Sequence, residues 1–196
     1  MPTVKLVRDF YAQPTLHVAR QLLGKSLVRV DSQGLTSGII LETEAYIGLE
    51  DKASHASRGL TPRNAVMFGP AGFAYVYLIY GLHYCLNVVT ERESYPAAVL
   101  IRALQPTEGL ELMRTRRRKQ ELRLLTRGPG NLCQAFGIER SCNGLDLCGD
   151  TLFIEDGGCG PVEVMATPRV GVDYAGPWKD LPWRFYIAGH PGVSKP

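Results

Sequence analysis

Apolar and polar positions alternate along much of the chain with the period of a β-strand, and few segments have helical spacing. The apolar run Gly38-Ile39-Ile40-Leu41 predicts a buried strand that ends in Glu42-Thr43-Glu44-Ala45-Tyr46. Because side chains alternate along an extended strand, Glu42, Glu44 and Tyr46 are expected to share one face. Two carboxylates and an aromatic ring in this place are typical either of a strand edge in solvent or of a reactive site, and the pattern leaves both open.

The segment 73–89 is the most β-rich part of the chain. Gly81 near its middle favours a hairpin with Tyr80-Gly81 as the turn, which leaves Tyr80 exposed at the tip. Tyrosine is unusual at the first position of such a turn, which favours a special purpose for Tyr80. One ordinary strand with Tyr80 in the core is the alternative. The predicted hairpin register pairs Ile79 with Leu82, Tyr77 with Tyr84 and Tyr75 with Leu86.

Another buried strand is predicted over 97–104, and Arg102 is its one charged residue. A lone arginine in such a strand is almost always paired with a carboxylate, and Glu44 and Glu42 are the candidates. Residues 48–64 form a long polar loop that contains His55, and loops of this length are usually functional.

The remaining segments complete an α+β pattern. Helices are predicted over 15–23, from Pro106-Thr107-Glu108 onward and over 128–137. Further short strands are predicted at 26–30, 152–155, 162–165, 169–172 and 183–187. The expected fold is a single compact domain with a mainly antiparallel curved β-sheet, peripheral helices and a protruding β-hairpin.

Composition narrows the class of protein without deciding it. The 196 residues are 45% apolar, which suits one core and one domain over 1–196. The net charge of +3 permits a nucleic-acid partner without demanding one. Five cysteines without a C-x-x-C pair favour neither a disulfide framework nor a structural zinc site. The absence of a signal-peptide pattern and of an apolar run of about 20 residues predicts a cytoplasmic protein, nucleoid-associated in a bacterium, with no membrane contact. Nothing in the sequence indicates an oligomer, so a monomer is expected.

Between Arg114 and Arg127 seven residues are basic and one is acidic. This stretch is interpreted either as a solvated helix face or as a phosphate-binding patch.

The sequence lacks the motifs of several classes of enzyme and binding site. The four histidines have no H-x-x-x-H or H-E-x-x-H spacing, so no metal site is predicted, and no cofactor is implied. The phosphate-binding G-x-x-x-x-G-K, the G-x-G-x-x-G and the G-x-S-x-G of serine hydrolases are all absent. Glycosidic bond cleavage is the reaction that uses carboxylates most directly, and a sugar–sugar and a sugar–base bond both remain open. The tyrosines favour a base, because every base has a flat face for stacking.

Taken together, the motifs resemble the alkyladenine (3-methyladenine) DNA glycosylase family over nearly the whole chain. The matching segments occur in collinear order: Glu42-Thr43-Glu44-Ala45-Tyr46 with His55, Thr61-Pro62-Arg63-Asn64, Tyr75-Val76-Tyr77-Leu78-Ile79-Tyr80-Gly81, Cys85-Leu86-Asn87, Leu100-Ile101-Arg102-Ala103-Leu104, Gly128-Pro129, Leu132-Cys133, Arg169-Val170-Gly171-Val172 and Arg184-Phe185-Tyr186.

The resemblance implies a role for each matched residue. Glu44 resembles the general base that activates a water molecule, and Arg102 with the backbone carbonyl of Val170 resembles the groups that hold this water. Glu42 receives no chemical role. The other site residues are implied as follows: Tyr46 and His55 form one wall of a base pocket, Tyr77 forms the opposite wall, Asn87 disfavours the amino group of guanine, and Tyr80 intercalates into DNA.

The implied activity is that of a monofunctional DNA glycosylase in base excision repair. Its expected partner is double-stranded DNA that contains 3-methyladenine, 7-methylguanine, hypoxanthine or etheno-adenine, which it flips out and cleaves to leave an abasic site. A non-catalytic nucleic-acid-binding module and a glycosidase that acts on sugar polymers are the alternatives.

Overall fold

The computed structural model describes residues 4–157 and 159–194, and within them the strands form one sheet. The strands are β1 (Val4–Lys5), β2 (Ser26–Asp31), β3 (Gly34–Ile47), β4 (Ala74–Ile79), β5 (His83–Val89), β6 (Ala97–Glu108), β7 (Leu152–Asp156), β8 (Val164–Thr167) and β9 (Arg184–Ile187). The α-helices are α1 (Arg8–Tyr11), α2 (Thr15–Gln21), α3 (Leu110–Arg117), α4 (Leu122–Leu125) and α5 (Pro129–Phe136). Short 3₁₀ segments lie at His55–Arg58, Ala65–Phe68, Arg140–Cys142 and Asp173–Asp180.

Strand β3 is the centre of the sheet. The main order is β1-β7-β2-β3-β6-β5-β4, and each of these pairs is antiparallel. On its other edge β3 pairs first with β2, through Ile39, and then with β9, over Glu42–Glu44. Register irregularities between Ile40 and Thr43 mark β-bulges at this exchange of partners, and bulges bend a strand. The carboxylates therefore lie where the sheet curves.

The two faces of β4, β5 and β6 have different chemistry. One face carries Val76, Leu86 and Ile101, which join a core cluster with residues of α2 and α5. The alternate positions Tyr75, Asn87 and Arg102 line a cavity on the other face. Residues two apart along a strand share a face, so this alternation separates the core from the candidate site.

The fold class expected from the sequence is confirmed. The predicted strands at 26–30 and 97–104 lie within β2 and β6, and the predicted helices at 15–23 and 128–137 correspond to α2 and α5. Hairpin β4–β5 carries Tyr80 at its tip, where the side chain is 86% exposed. Core placement of Tyr80, the alternative for this residue, is therefore wrong.

The predicted hairpin register is wrong by one residue. Tyr77 pairs with Cys85 and Tyr75 pairs with Asn87, because Leu82 is an extra residue between the turn and β5. Leu82 is 77% exposed, and its amide still donates to the carbonyl of Ile79 across the turn. A slip of one residue exchanges the faces of a strand, so the predicted register would have placed Leu86 beside the cavity-lining tyrosines.

Two other element predictions are corrected. The segment 106–108 continues β6, because it pairs with the start of β3 and the hydroxyls of Ser37 and Thr107 form a 2.7 Å hydrogen bond. Helix α3 begins only after Gly109, at Leu110. The segment 169–172 is a turn rather than a strand, held in place by side-chain contacts described below. None of the helices in the described ranges has the length and hydropathy that a bilayer crossing requires.

Candidate active site

A cavity of about 420 Å³ lies between the hairpin, the loop after β3 and the turn at 170–171. This volume is within the range of about 300–1,000 Å³ that is usual for small-ligand pockets. Its lining includes most of the predicted site residues: Tyr46, His55, Tyr77, Tyr80, Asn87, Arg102 and Val170. The N-terminus of α5 closes one side, and Gly130 permits this because a Cβ there would lie 2.9 Å from the Cβ of His83. The structure thus brings the seven predicted residues together from five parts of the chain: β3, the loop after it, hairpin β4–β5, β6 and the turn at 170–171.

Glu44 lies behind the cavity floor and is fully buried. Its Oε2 accepts hydrogen bonds from the Tyr46 hydroxyl at 2.8 Å and from Arg102 Nη1 at 3.0 Å. Its Oε1 accepts one from the backbone N–H of Val170 at 2.7 Å. A carboxylate offers about four acceptor positions, so these three donors leave Oε1 able to accept one more. Three fixed donors hold the carboxylate in one orientation.

Arg102 joins the two carboxylates of β3. Its Nε donates to Glu42 Oε1 at 3.1 Å while its Nη1 donates to Glu44, so the predicted pairing with both acids is present. Glu42 is also fully buried and accepts from Arg184 Nε at 2.7 Å and from the backbone N–H of Ser194 at 2.7 Å. The strand end is therefore a buried charge network rather than a solvent edge, and Glu42 holds Arg102 in place.

Val170 reaches the site through its backbone N–H, which donates to Glu44. The turn that carries it is anchored by Arg169, whose side chain is completely buried in a salt bridge with Asp51 at 2.6 Å. Arg169 Nη1 also donates to the carbonyl of Ala45 at 2.9 Å. Asp51 in turn accepts from the backbone N–H of Ala53 at 3.0 Å. One ion pair therefore fixes the turn, β3 and the loop before His55 relative to each other.

His55 lies against the tyrosines of β4. Its Nδ1 shares a 2.9 Å hydrogen bond with the Tyr75 hydroxyl, and its ring centroid is 4.5 Å from that of Tyr77 in an edge-on contact. Burial, with smaller contributions from Arg63 and Arg58, lowers the pKa of His55 to about 4. The imidazole is therefore neutral at neutral pH.

Tyr46 makes contacts different from those of His55 and Tyr77. Its hydroxyl is bound to Glu44, and the guanidinium of Arg169 lies 4.8 Å from its ring centroid. Burial raises the pKa of Tyr46 well above its usual value, and the neighbouring carboxylate of Glu44 adds to the effect. Among the described residues no ring contact joins Tyr46 to His55, so the expected grouping of these two on one wall is corrected: His55 belongs with Tyr77.

Asn87 and Tyr80 occupy the two ends of the hairpin. Asn87 is 3% exposed, and its Nδ2 donates to the carbonyl of Tyr75 at 3.1 Å, which fixes the amide beside the cavity.

Tyr80 has a φ of 55° and Gly81 one of 69°, which are the left-handed conformations of a tight hairpin turn. Only a few per cent of non-glycine residues adopt positive φ, so the backbone at Tyr80 is strained.

Comparison with known proteins agrees with this geometry. The sequence model of the methylpurine-DNA glycosylase family matches residues 9–191. The chain belongs to this family. A relative from Methanocella arvoryzae is 55% identical, over 97% of this chain and 96% of the relative. Relatives from Clostridium acetobutylicum and Myxococcus xanthus are 50% and 49% identical, over 97% of this chain and 98% and 93% of the relatives. Each of the three carries the provisional name 3-methyladenine DNA glycosylase.

As a member of the methylpurine-DNA glycosylase family, the protein is a DNA glycosylase, a hydrolase of N-glycosyl bonds. The resemblance inferred from the sequence is confirmed. Membership favours this interpretation over a polysaccharide glycosidase or a non-catalytic binding module. The described residues contain no group of three or more His, Cys, Asp and Glu side chains that could hold a metal ion.

Several residues of this candidate site were not singled out from the sequence. Asp51 and Arg169 are 118 positions apart, so their pairing had no local signal. Arg184 was seen only as part of a terminal motif, although a second buried arginine opposite two acids could have suggested a network. Tyr174, which is 72% exposed at the cavity mouth, follows a turn that was predicted as a strand.

The basic stretch from Arg114 to Arg127 runs from the far end of α5 to the edge of the cavity, because Arg127 directly precedes the cavity-lining Gly128. Arg116 packs against Gly137 at the C-terminal end of α5, whereas the N-terminal end of that helix lines the cavity. Much of its charge is also paired, since Arg116 binds Asp31 at 2.8 Å and Arg123 binds Glu121 at 2.7 Å.

Proposed function

We propose that this chain excises alkylated and deaminated purines from duplex DNA by hydrolysis of the N-glycosidic bond and leaves an abasic site. The proposed substrates are 3-methyladenine, 7-methylguanine, hypoxanthine and etheno-adenine. The observation that carries the proposal is a cavity of about 420 Å³ with aromatic walls, beside a buried carboxylate that keeps a free acceptor position. The names of the relatives support 3-methyladenine as one substrate. We propose that residues 1–196 act as one domain, as a monomer, in the cytoplasm or on the nucleoid.

Base recognition is assigned to the aromatic residues of the cavity. A purine that rotates out of the duplex enters between Tyr46 on one side and the His55–Tyr77 pair on the other. Methylated purines are cations, and cations are attracted to the faces of aromatic rings. A neutral His55 is important here, because a charged imidazole would repel them. The pKa of about 4 ensures this neutrality.

Hydrolysis is assigned to Glu44, with Arg102 and Val170 as its supports. Water donates a hydrogen bond to Glu44 Oε1, its proton passes to the carboxylate, and its oxygen forms a bond to C1′ of the sugar. The C1′–N bond breaks, and its electron pair leaves with the purine. A methylated purine needs no further proton because it is already cationic, whereas hypoxanthine needs protonation as well. No lysine lines the cavity in the described part of the chain, which agrees with a monofunctional enzyme that forms no Schiff base.

Asn87 is assigned the role of disfavouring the exocyclic amino group of guanine. Its side chain is fixed by the bond to Tyr75 and lies beside the cavity, so it resists displacement by an exocyclic amino group at that position of a purine. A rigid polar group next to a binding site discriminates by leaving the wrong ligand poorly paired.

The direct test is incubation of the protein with duplexes that each contain one of the four damaged purines. We expect abasic sites, detected as strand breaks after alkali, at the damaged position and none in an undamaged duplex. Retained binding to duplex DNA without any abasic site would favour a non-catalytic module instead.

We assign to Tyr80 the role of filling the gap that the extruded nucleotide leaves in the duplex. Replacing Tyr80 with alanine is expected to weaken binding to lesion-containing duplex by about 1–3 kcal/mol, the usual contribution of one base–aromatic stack. Equilibrium binding to an etheno-adenine duplex measures the effect.

The matched control is Tyr80→Phe, which keeps the ring and should bind like the parent protein. An affinity of Tyr80→Ala equal to that of the parent would contradict the intercalating role.

A further inference from the structure

The segment 190–194 packs against β3 and β6, the two strands that carry the buried charge network, and we call it the strap. His190 shares a 3.1 Å hydrogen bond, through Nε2, with Oε1 of Gln105 on β6. Gly192 lies directly on β3, because a Cβ there would be 2.6 Å from Cδ1 of the buried Leu41. The close approach of the strap to the sheet therefore depends on this glycine.

The strap supplies the one hydrogen-bond donor that Glu42 Oε2 has among the described residues. This donor is the backbone N–H of Ser194, at 2.7 Å, whereas Glu42 Oε1 accepts from the Nε atoms of Arg102 and Arg184. Arg102 in turn donates from Nη1 to Glu44 at 3.0 Å. Three donors from different directions fix the orientation of a buried carboxylate. Loss of the Ser194 donor would let Glu42 rotate and shift Arg102 relative to Glu44.

Arg127 fastens the strap to the rest of the protein. Its Nε donates to the carbonyl of Val193 in the strap at 2.8 Å, and Val193 is 5% exposed. The backbone of Arg127 forms an isolated β-bridge with Ala103, the neighbour of Arg102 in β6. Its carbonyl accepts from Nδ2 of Asn131, which lines the cavity. Arg127 therefore connects the strap with β6 and with the cavity wall.

The peptide group between Val193 and Ser194 is hydrogen-bonded on both sides. Its carbonyl accepts from Arg127, and its N–H donates to Glu42. A peptide group is planar and trans, so its C=O and N–H point in opposite directions, and Arg127 and Glu42 lie on opposite sides of it. Hydrogen bonds in series polarise one another. The guanidinium therefore strengthens the hydrogen bond that the N–H donates to Glu42.

We propose that Arg127 is a positioning residue of the hydrolytic reaction and acts through this peptide group on Glu42 and Arg102. While Arg127 holds the strap, Glu42 keeps all three donors, and Arg102 stays aligned with Glu44. The assignment rests on the proposed function and adds a residue to it. It also gives one cation of the basic stretch a role inside the protein.

Two substitutions loosen the strap in different ways. Methionine in Arg127→Met cannot donate to Val193, and the Cβ in Gly192→Ala collides with the buried Leu41. We expect each to lower the single-turnover rate of hypoxanthine excision by about 10-fold to 10²-fold, because a misplacement of about 1 Å at a reacting group can cost 10²-fold. Gly192→Ala changes no charge, so its affinity for the same duplex should equal that of the parent. Arg127→Lys keeps a charged donor and should recover most of the rate.

Lys119→Met and Gly160→Ala are the matched controls. The first removes an exposed cation of the basic stretch, and the second adds a Cβ that meets no described atom within 4 Å. Both should excise at the parent rate, and urea denaturation checks that every variant folds. If Gly192→Ala does not fold, the comparison of Arg127→Met with Arg127→Lys decides.

Parent rates in both strap variants would overturn the assignment. The same holds for equal rates in Arg127→Met and Arg127→Lys, and for a loss of affinity in Gly192→Ala as large as its loss of rate. Failure of the proposed function is a separate result, because the parent protein itself would then form no abasic sites.

Discussion

Replacing Glu44 with glutamine is expected to reduce the single-turnover rate of excision by about 10²–10⁴-fold, the usual contribution of a positioned general base. Glutamine has nearly the same shape and size, so the cavity should keep its form. Its amide oxygen can still accept either from the Val170 N–H or from the Tyr46 hydroxyl and Arg102, which bind different oxygens of Glu44. It cannot take a proton from water. The effect should therefore appear in the chemical step and not in the affinity for damaged DNA.

The measurement is single-turnover release of hypoxanthine at saturating protein, with binding to the same duplex determined in parallel. Glu163→Gln, on an exposed side chain, is the matched control and should leave the rate unchanged. Excision by Glu44→Gln at the parent rate would show that another group activates the water.

Replacing Asp51 with alanine is expected to lower the free energy of unfolding by about 3–5 kcal/mol, because removal of one partner leaves a buried charge without compensation. Both side chains of the Asp51–Arg169 pair are completely buried, so solvent screening is weak. The backbone N–H of Ala53 also loses its acceptor. Since the pair anchors the segments of His55 and Val170, excision should fall as well.

Urea denaturation measures this change in stability. Glu121→Ala is the comparison, because its partner Arg123 is 66% exposed and surface pairs contribute only about 0–1 kcal/mol. Asp51→Asn, which keeps the shape and removes the charge, should lie between the two. Equal midpoints for Asp51→Ala and Glu121→Ala would contradict a structural role of the buried pair.

Local patterns predicted the strands because those signals lie within a few residues, and the partners of Arg102 followed from the charges that the predicted strands carry. An isolated charge in an apolar strand needs a counter-charge, and the candidates were Glu42 and Glu44 at the end of another predicted buried strand. The hairpin register could not be predicted in the same way. It depends on one extra residue, Leu82, and two-residue and three-residue loops differ little in sequence.

Sequence patterns could not predict the other contacts between distant segments. The helix after β6 starts late because 106–108 continue a ladder with β3, which no local propensity records. Likewise the turn at 169–172 is set by Asp51, far away in the chain, and an apolar-polar alternation there was mistaken for a strand. The family resemblance supplied roles for Tyr46, His55, Tyr77 and Asn87, but the structure was needed to group His55 with Tyr77.

Strand β3 changes its partner from β2 to β9, so some contacts of its carboxylates form only after the C-terminal part of the chain has been synthesised. Glu44 precedes Val170 by 126 positions, and Glu42 precedes Arg184 by 142 and Ser194 by 152. A nascent chain that has emerged as far as α5 contains both acids and Arg102 but none of these later partners. Contacts of such long sequence separation form late, because the entropy of closing a long loop opposes them. The enzyme is therefore expected to become competent only when nearly all of its chain has been synthesised.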